Sequence, residues 1–146
     1  MLVDYKAFTM KTRMLIATIL IFLGALIHII GGELTDIAAL LKKNLPLNIQ
    51  IEIRAIWYLV AIDFIVSAGY LIYLVLKEQY SEHKMLVQFI GIRMFLYGIA
   101  FLLLILLTYP RYLLHAPQWI LLVLIGILLL WDLFFRPKSD QSNELS

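Results

Sequence analysis

Residues 55–76 read AIWYLVAIDFIVSAGYLIYLVL, an apolar run of 22 residues with a single charged residue, Asp63. A run of 18 or more apolar residues is long enough to cross the ~30 Å hydrocarbon layer of a bilayer as a helix. Asp63 sharpens the reading. A lone charge at that depth costs about 3 kcal/mol on insertion scales, so such residues are kept for a partner or a task.

Working outward, the same pattern recurs three times. Residues 14–32, 85–108 and 118–135 are also apolar runs, and with 55–76 they take up most of the 146-residue chain. Composition agrees: 63% of residues are hydrophobic, 15% are charged, and mean hydropathy is +0.93. A water-soluble domain of this size would need more polar surface than that. The sequence therefore predicts an all-α membrane protein, a single domain over 1–146 built as a four-transmembrane-helix up-down-up-down bundle. Residues 137–146 (PKSDQSNELS) form a polar tail without periodicity, expected to be disordered.

The first run is expected to be an uncleaved anchor. Lys6, Lys11 and Arg13 precede it as they would a signal peptide, but Gly31-Gly32-Glu33 is a poor cleavage site. Lysines and arginines then orient the chain. With the N-terminus inside, Lys6, Lys11, Arg13, Lys77, Lys84, Arg136 and Lys138 face the cytoplasm, against Lys42, Lys43, Arg54 and Arg111 outside. That excess places both termini in the cytoplasm of a multi-pass protein of the plasma or cytoplasmic membrane. Aromatic residues mark both interfaces, Trp57, Tyr58, Tyr109, Tyr112 and Trp119 at the outer ends of the runs and Tyr80, Trp131, Phe134 and Phe135 at the inner ends.

Between the first two runs, residues 33–43 read ELTDIAALLKK. Leu34, Ile37, Ala38 and Leu41 recur at helical spacing, acids lead and lysines trail, which predicts a short amphipathic helix on the outer interface. Asn48 is the expected N-cap of a second spanning helix running from about Ile49 to Lys77. At 1.5 Å per residue that helix is about 43 Å long and must tilt or project. Pro110 is expected to stop the third helix and Pro117 to start the fourth.

Three constellations are candidates for function. The first is an intramembrane polar network. Asp63, Ser67 and Tyr70 share one stripe of the second helix, and Arg93 and Tyr97 share one of the third. Counted from opposite faces, Asp63 and Arg93 each lie about 12 Å deep, so an arginine reaching along the helix can pair with the acid. Asp132 on the fourth helix competes for Arg93 or pairs with Arg136 one turn on. The sharper alternative makes Asp63 a proton or cation relay in a small oligomeric transporter, because a carboxylate in low dielectric exchanges protons near neutral pH.

The second constellation is His28 and His115, both at outer helix ends. Imidazoles on separate helices are candidate axial ligands for a haem b iron or, with Glu33, Asp36 or Asp63, for a metal ion. The bland reading makes His28 a cross-helix hydrogen-bonding residue and His115 a cap. The third is an outer polar rim of Glu33, Asp36, Arg54, Trp57, Tyr58, Arg111, Tyr112, Gln118 and Trp119, able to meet a lipid headgroup or a protein partner. Small residues add packing faces: Ala17, Gly24 and Gly31 in the first helix, Gly91 and Gly98 in the third, each seven apart.

The chain has no cysteine, which excludes disulfide and thiolate chemistry. It has no phosphate loop, HExxH or nucleophile elbow. A net charge of +2, scattered, does not make a nucleic-acid surface. The expectation is a non-enzymatic accessory, scaffold or assembly subunit without a required cofactor, surrounded by membrane lipids and partnered by copies of itself or by a larger membrane protein. The transporter and the haem-binding electron carrier stand as alternatives.

Overall fold

The computed structural model describes residues 2–43, 45–80, 82–114 and 117–135. Among the described residues every regular element is helical. Helix α1 is Leu2–Gly32 and passes directly into one wide π-helical stretch, Glu33–Ile37, and a single further turn, α2, Ala38–Leu41. Helix α3 is Leu47–Lys77, α4 is Lys84–Thr108, and α5 is Gln118–Phe135, with a 3₁₀ turn at Pro110–Tyr112. The polar tail 137–146 lies outside the described residues.

Three of these helices hold stretches long and apolar enough to cross a membrane: Met10–Thr35, Leu47–Lys77 and Lys84–Thr108. The expected fourth span is the short one. Its described side chains form an apolar stretch from Gln118 to Trp131. Over its whole 18 residues α5 measures about 27 Å, slightly less than the hydrocarbon layer.

Helix ends depart from the sequence reading in instructive ways. Gly31-Gly32 does not break α1: Gly32 has φ −61° and ψ −47°, ordinary right-handed helix, and no glycine has a positive φ. The segment from 33 onward is therefore not a separate helix after a loop but a continuation through a π turn. The wider turn also rotates its apolar residues apart, leaving Leu34 75% exposed while Ile37 is 2% exposed. At the start of α3 the cap is Pro46 rather than Asn48, which lies inside the helix. Proline suits that place because its missing N–H would have had no helical acceptor. Gln50 supplies a side-chain bond instead, its Nε2 donating to the Leu45 carbonyl at 2.7 Å. Helix α3 ends at Glu78, in the left-handed region at φ 57°, whose N–H closes on the carbonyls of Leu74 and Val75.

The chain divides into two compact units, Leu15–Glu78 and Met1–Met14 with Gln79–Ser146. In the first, Ala17, Ile21 and Ala25 of α1 and Ala61, Phe64, Ala68, Leu71 and Leu74 of α3 are buried. In the second, α4 and α5 pack at glycines. A Cβ at Gly91 would meet Leu129 and Leu130 at 2.9 Å, and one at Gly98 would meet Val123 at 2.7 Å. Gly126 of α5 lies against the Phe95 backbone, 2.8 Å from where its Cβ would stand. Backbones this close gain dispersion contacts that larger residues would block. The Arg13 guanidinium stands 5.7 Å over the Trp131 ring in the same unit, within cation–π range.

Candidate functional site

A polar construction joins the end of α1 to the N-terminal half of α3. His28 and Trp57 stack face to face, ring centroids 4.0 Å apart and planes 5° from parallel. Each ring also bonds the other residue's backbone. Trp57 Nε1 donates to the His28 carbonyl at 2.9 Å, and His28 Nε2 donates to the Trp57 carbonyl at 3.1 Å. A carbonyl has two lone pairs, so each accepts this bond in addition to the one within its own helix. The Nε2 bond sets the imidazole tautomer, because a carbonyl can only accept. Phe64 flanks the histidine at 6.4 Å with a 40° tilt.

Gly32 makes the arrangement possible. A Cβ there would fall 2.2–2.3 Å from three indole atoms of Trp57, so the indole occupies the space a side chain would need. Gly32 is not a member of the expected packing stripe. Gly31, seven residues after Gly24, faces only Ile27 of its own helix at 4.0 Å; the close approach falls at Gly32. Ala17 and Gly24 are buried.

Just beyond the stacked pair lies a charged rim. Tyr58 Oη donates to Glu33 Oε1 at 2.7 Å, and Arg54 Nη2 lies 3.8 Å from Glu33 Oε2. The second distance is well beyond the ~2.8 Å of a charge-assisted hydrogen bond, so this ion pair is loose. Arg54 is 46% and Glu33 33% exposed in their side chains. The π turn begins at Glu33, and Thr35 Oγ1 donates to the Gly31 carbonyl at 2.6 Å. Such turns shift the helical bonding pattern and occur often at functional sites.

The other sequence candidates are placed as follows. Ser67 is buried, and its hydroxyl donates to the carbonyl of Asp63 at 2.6 Å, a bond within its own helix. Asp63 and Tyr70 are half-buried on the same helix. Arg93 is half-buried, its guanidinium 5.9 Å over the ring of Phe89 one turn earlier, and Tyr97 is 40% exposed. His115 lies outside the described residues, as do the side chains of Asp36, Tyr112 and Asp132. Of the outer rim, Glu33, Arg54, Trp57 and Tyr58 come together with His28, whereas Trp119 donates through Nε1 to the Leu113 carbonyl of its own connection at 3.3 Å.

Sequence reasoning missed Gly32 and Gly126. Gly32 was masked by its neighbour at the favoured seven-residue spacing, and Gly126 by standing alone in α5. Trp57 read as a belt residue, since nothing in the sequence couples positions 28 and 57. Chemically, the stacked pair is a clasp. Metal ligation through His28 Nε2 would require giving up its bond to Trp57. Comparison with protein-family models, characterised proteins and solved structures finds no match.

Proposed function

We propose that this chain is a small multi-pass membrane protein that acts without catalysis, as an accessory, scaffold or assembly subunit. In this reading α1, α3, α4 and α5 each cross the bilayer in up-down-up-down order, with both termini cytoplasmic and the π turn with α2 at the opposite interface. Support for insertion comes from the three long apolar helices and from the large apolar side chains they leave exposed, such as Ile27, Ile56, Leu59, Val66 and Leu107. A surface of that kind suits lipid or a membrane partner and not water.

One observation carries the non-enzymatic reading. Nε2 of His28 and Nε1 of Trp57 each bond the other residue's backbone and so tie α1 to α3. Nε2 of this imidazole is engaged by a helix carbonyl rather than directed at a substrate. The glycine seam of α4 and α5 adds to the case, being a device for close helix packing.

The test is the mass of the full-length protein in detergent and in lipid discs. A homo-oligomer or a stoichiometric complex is the expected result. A monomer under both conditions, with no partner recovered after in-membrane cross-linking, overturns the assembly role. Termini labelled by a membrane-impermeant reagent from outside intact cells overturn the topology.

A further inference from the structure

We infer that the face shared by α1 and α3 is a binding site for one phospholipid whose headgroup carries both an ammonium and a phosphodiester, of the phosphatidylethanolamine class. The inference rests on residence in a bilayer, not on the assembly role above.

Two separate features lie on this face. One is the charged rim, where Glu33 and Arg54 stand side by side, exposed and 3.8 Å apart. The other is an open apolar groove of about 380 Å³, lined on α1 by Ile19 and Phe22 and on α3 by Ile65, Ala68, Gly69 and Ile72. Pockets for small ligands span about 300–1,000 Å³, so the groove is on that scale. Helical geometry puts rim and groove in line. Glu33 follows Phe22 by 11 residues, about three turns, and Ile72 follows Arg54 by 18, about five turns. Tyr58, which holds Glu33, precedes Ile65 by about two turns and Gly69 by about three. Each charged residue therefore stands on the same stripe of its helix as the groove residues. The axial separation from Glu33 to Phe22 is about 16 Å, which matches half of a ~30 Å hydrocarbon layer, the reach of one acyl chain.

The chemistry of the rim selects the headgroup. A purely anionic lipid would meet Glu33 as well as Arg54. A zwitterion satisfies both: its phosphodiester meets the guanidinium fork, and its primary ammonium donates to Glu33 Oε2, the oxygen that Tyr58 does not use. A trimethylated ammonium has no N–H to donate, so choline lipids fit less well. Gly69 shapes the groove below, since beyond its own stretch of helix backbone nothing lies within 4 Å of where its Cβ would be.

The full-length protein, stripped of lipid in detergent, is titrated with phosphatidylethanolamine, phosphatidylcholine and phosphatidylglycerol of matched chains, and bound lipid is counted by native mass spectrometry. Ethanolamine lipid binds tightest. Arg54→Gln weakens it about tenfold, the loss of one charge-assisted contact. Glu33→Gln erases the preference for ethanolamine over choline. Gly69→Leu fills the groove and weakens all three, while Lys77→Gln changes nothing. Should Glu33→Gln fail to elute and show helicity as the parent does, Arg54→Lys, which keeps the charge and loses the fork, serves in its place. Equal binding of the three lipids, or ethanolamine binding unchanged by both Arg54→Gln and Gly69→Leu, overturns the proposal.

Discussion

Gly32→Ala is the sharpest probe of the clasp. The new methyl must sit 2.2–2.3 Å from Cε2, Cζ2 and Nε1 of Trp57, so one of two things gives. If the ring stays, the overpacking costs about 1–3 kcal/mol. If the ring leaves, it forfeits the stack on His28, worth about 0.5–1.5 kcal/mol. It also forfeits the Nε1 bond to the His28 carbonyl, worth about 1 kcal/mol. Against either route, replacing a helical glycine by alanine returns up to about 1 kcal/mol. The net expectation is a loss of about 1–2 kcal/mol. Gly31→Ala is the internal control, because its Cβ meets only Ile27 at 4.0 Å; it should be neutral or stabilising. Unfolding by SDS titration in mixed micelles measures both, in a Trp119→Phe, Trp131→Phe background where the emission reports Trp57 alone. A cycle closes the argument, with all four variants read by far-UV circular dichroism: with Trp57→Ala in place, Gly32→Ala should cost nothing. Equal stability of Gly32→Ala and the parent, or a cost that persists once the indole is gone, would refute the reasoning.

Three further outcomes are expected. Gly126→Ala should destabilise the α4–α5 pair by about 1–3 kcal/mol, since its Cβ would press on Phe95 backbone atoms that cannot rotate aside; the same SDS titration reads it. Glu78→Gly should raise stability by up to about 1 kcal/mol by relieving a side chain held at φ 57°, a shift visible in the unfolding midpoint. Tyr58→Phe removes the donor to Glu33 at a half-exposed site, so its cost should stay near or below about 1 kcal/mol; a larger loss would show the rim to be structural.

The long apolar helices were legible without coordinates because they depend on local quantities. Apolar runs of more than twenty residues leave a backbone in lipid no alternative to internal hydrogen bonding, and that alone dictates helix at residues 55–76 and 85–108. Proline at 110 and 117 marked helix boundaries for an equally local reason, a missing donor. Gly31-Gly32 was legible only in part: Gly31 stands at the seven-residue spacing, but it is the missing side chain of Gly32, in ordinary helical conformation, that serves a neighbour 25 positions later in the chain. Which of two adjacent glycines meets an indole depends on how two helices are rotated about their axes. Rotation is set by the sum of many side-chain contacts across the pair and is encoded in no short stretch of residues. For the same reason the sequence offered His28 both as a ligand and as a cross-helix hydrogen-bonding residue without naming an acceptor, and only the packed pair of helices turned its Nε2 toward the Trp57 carbonyl.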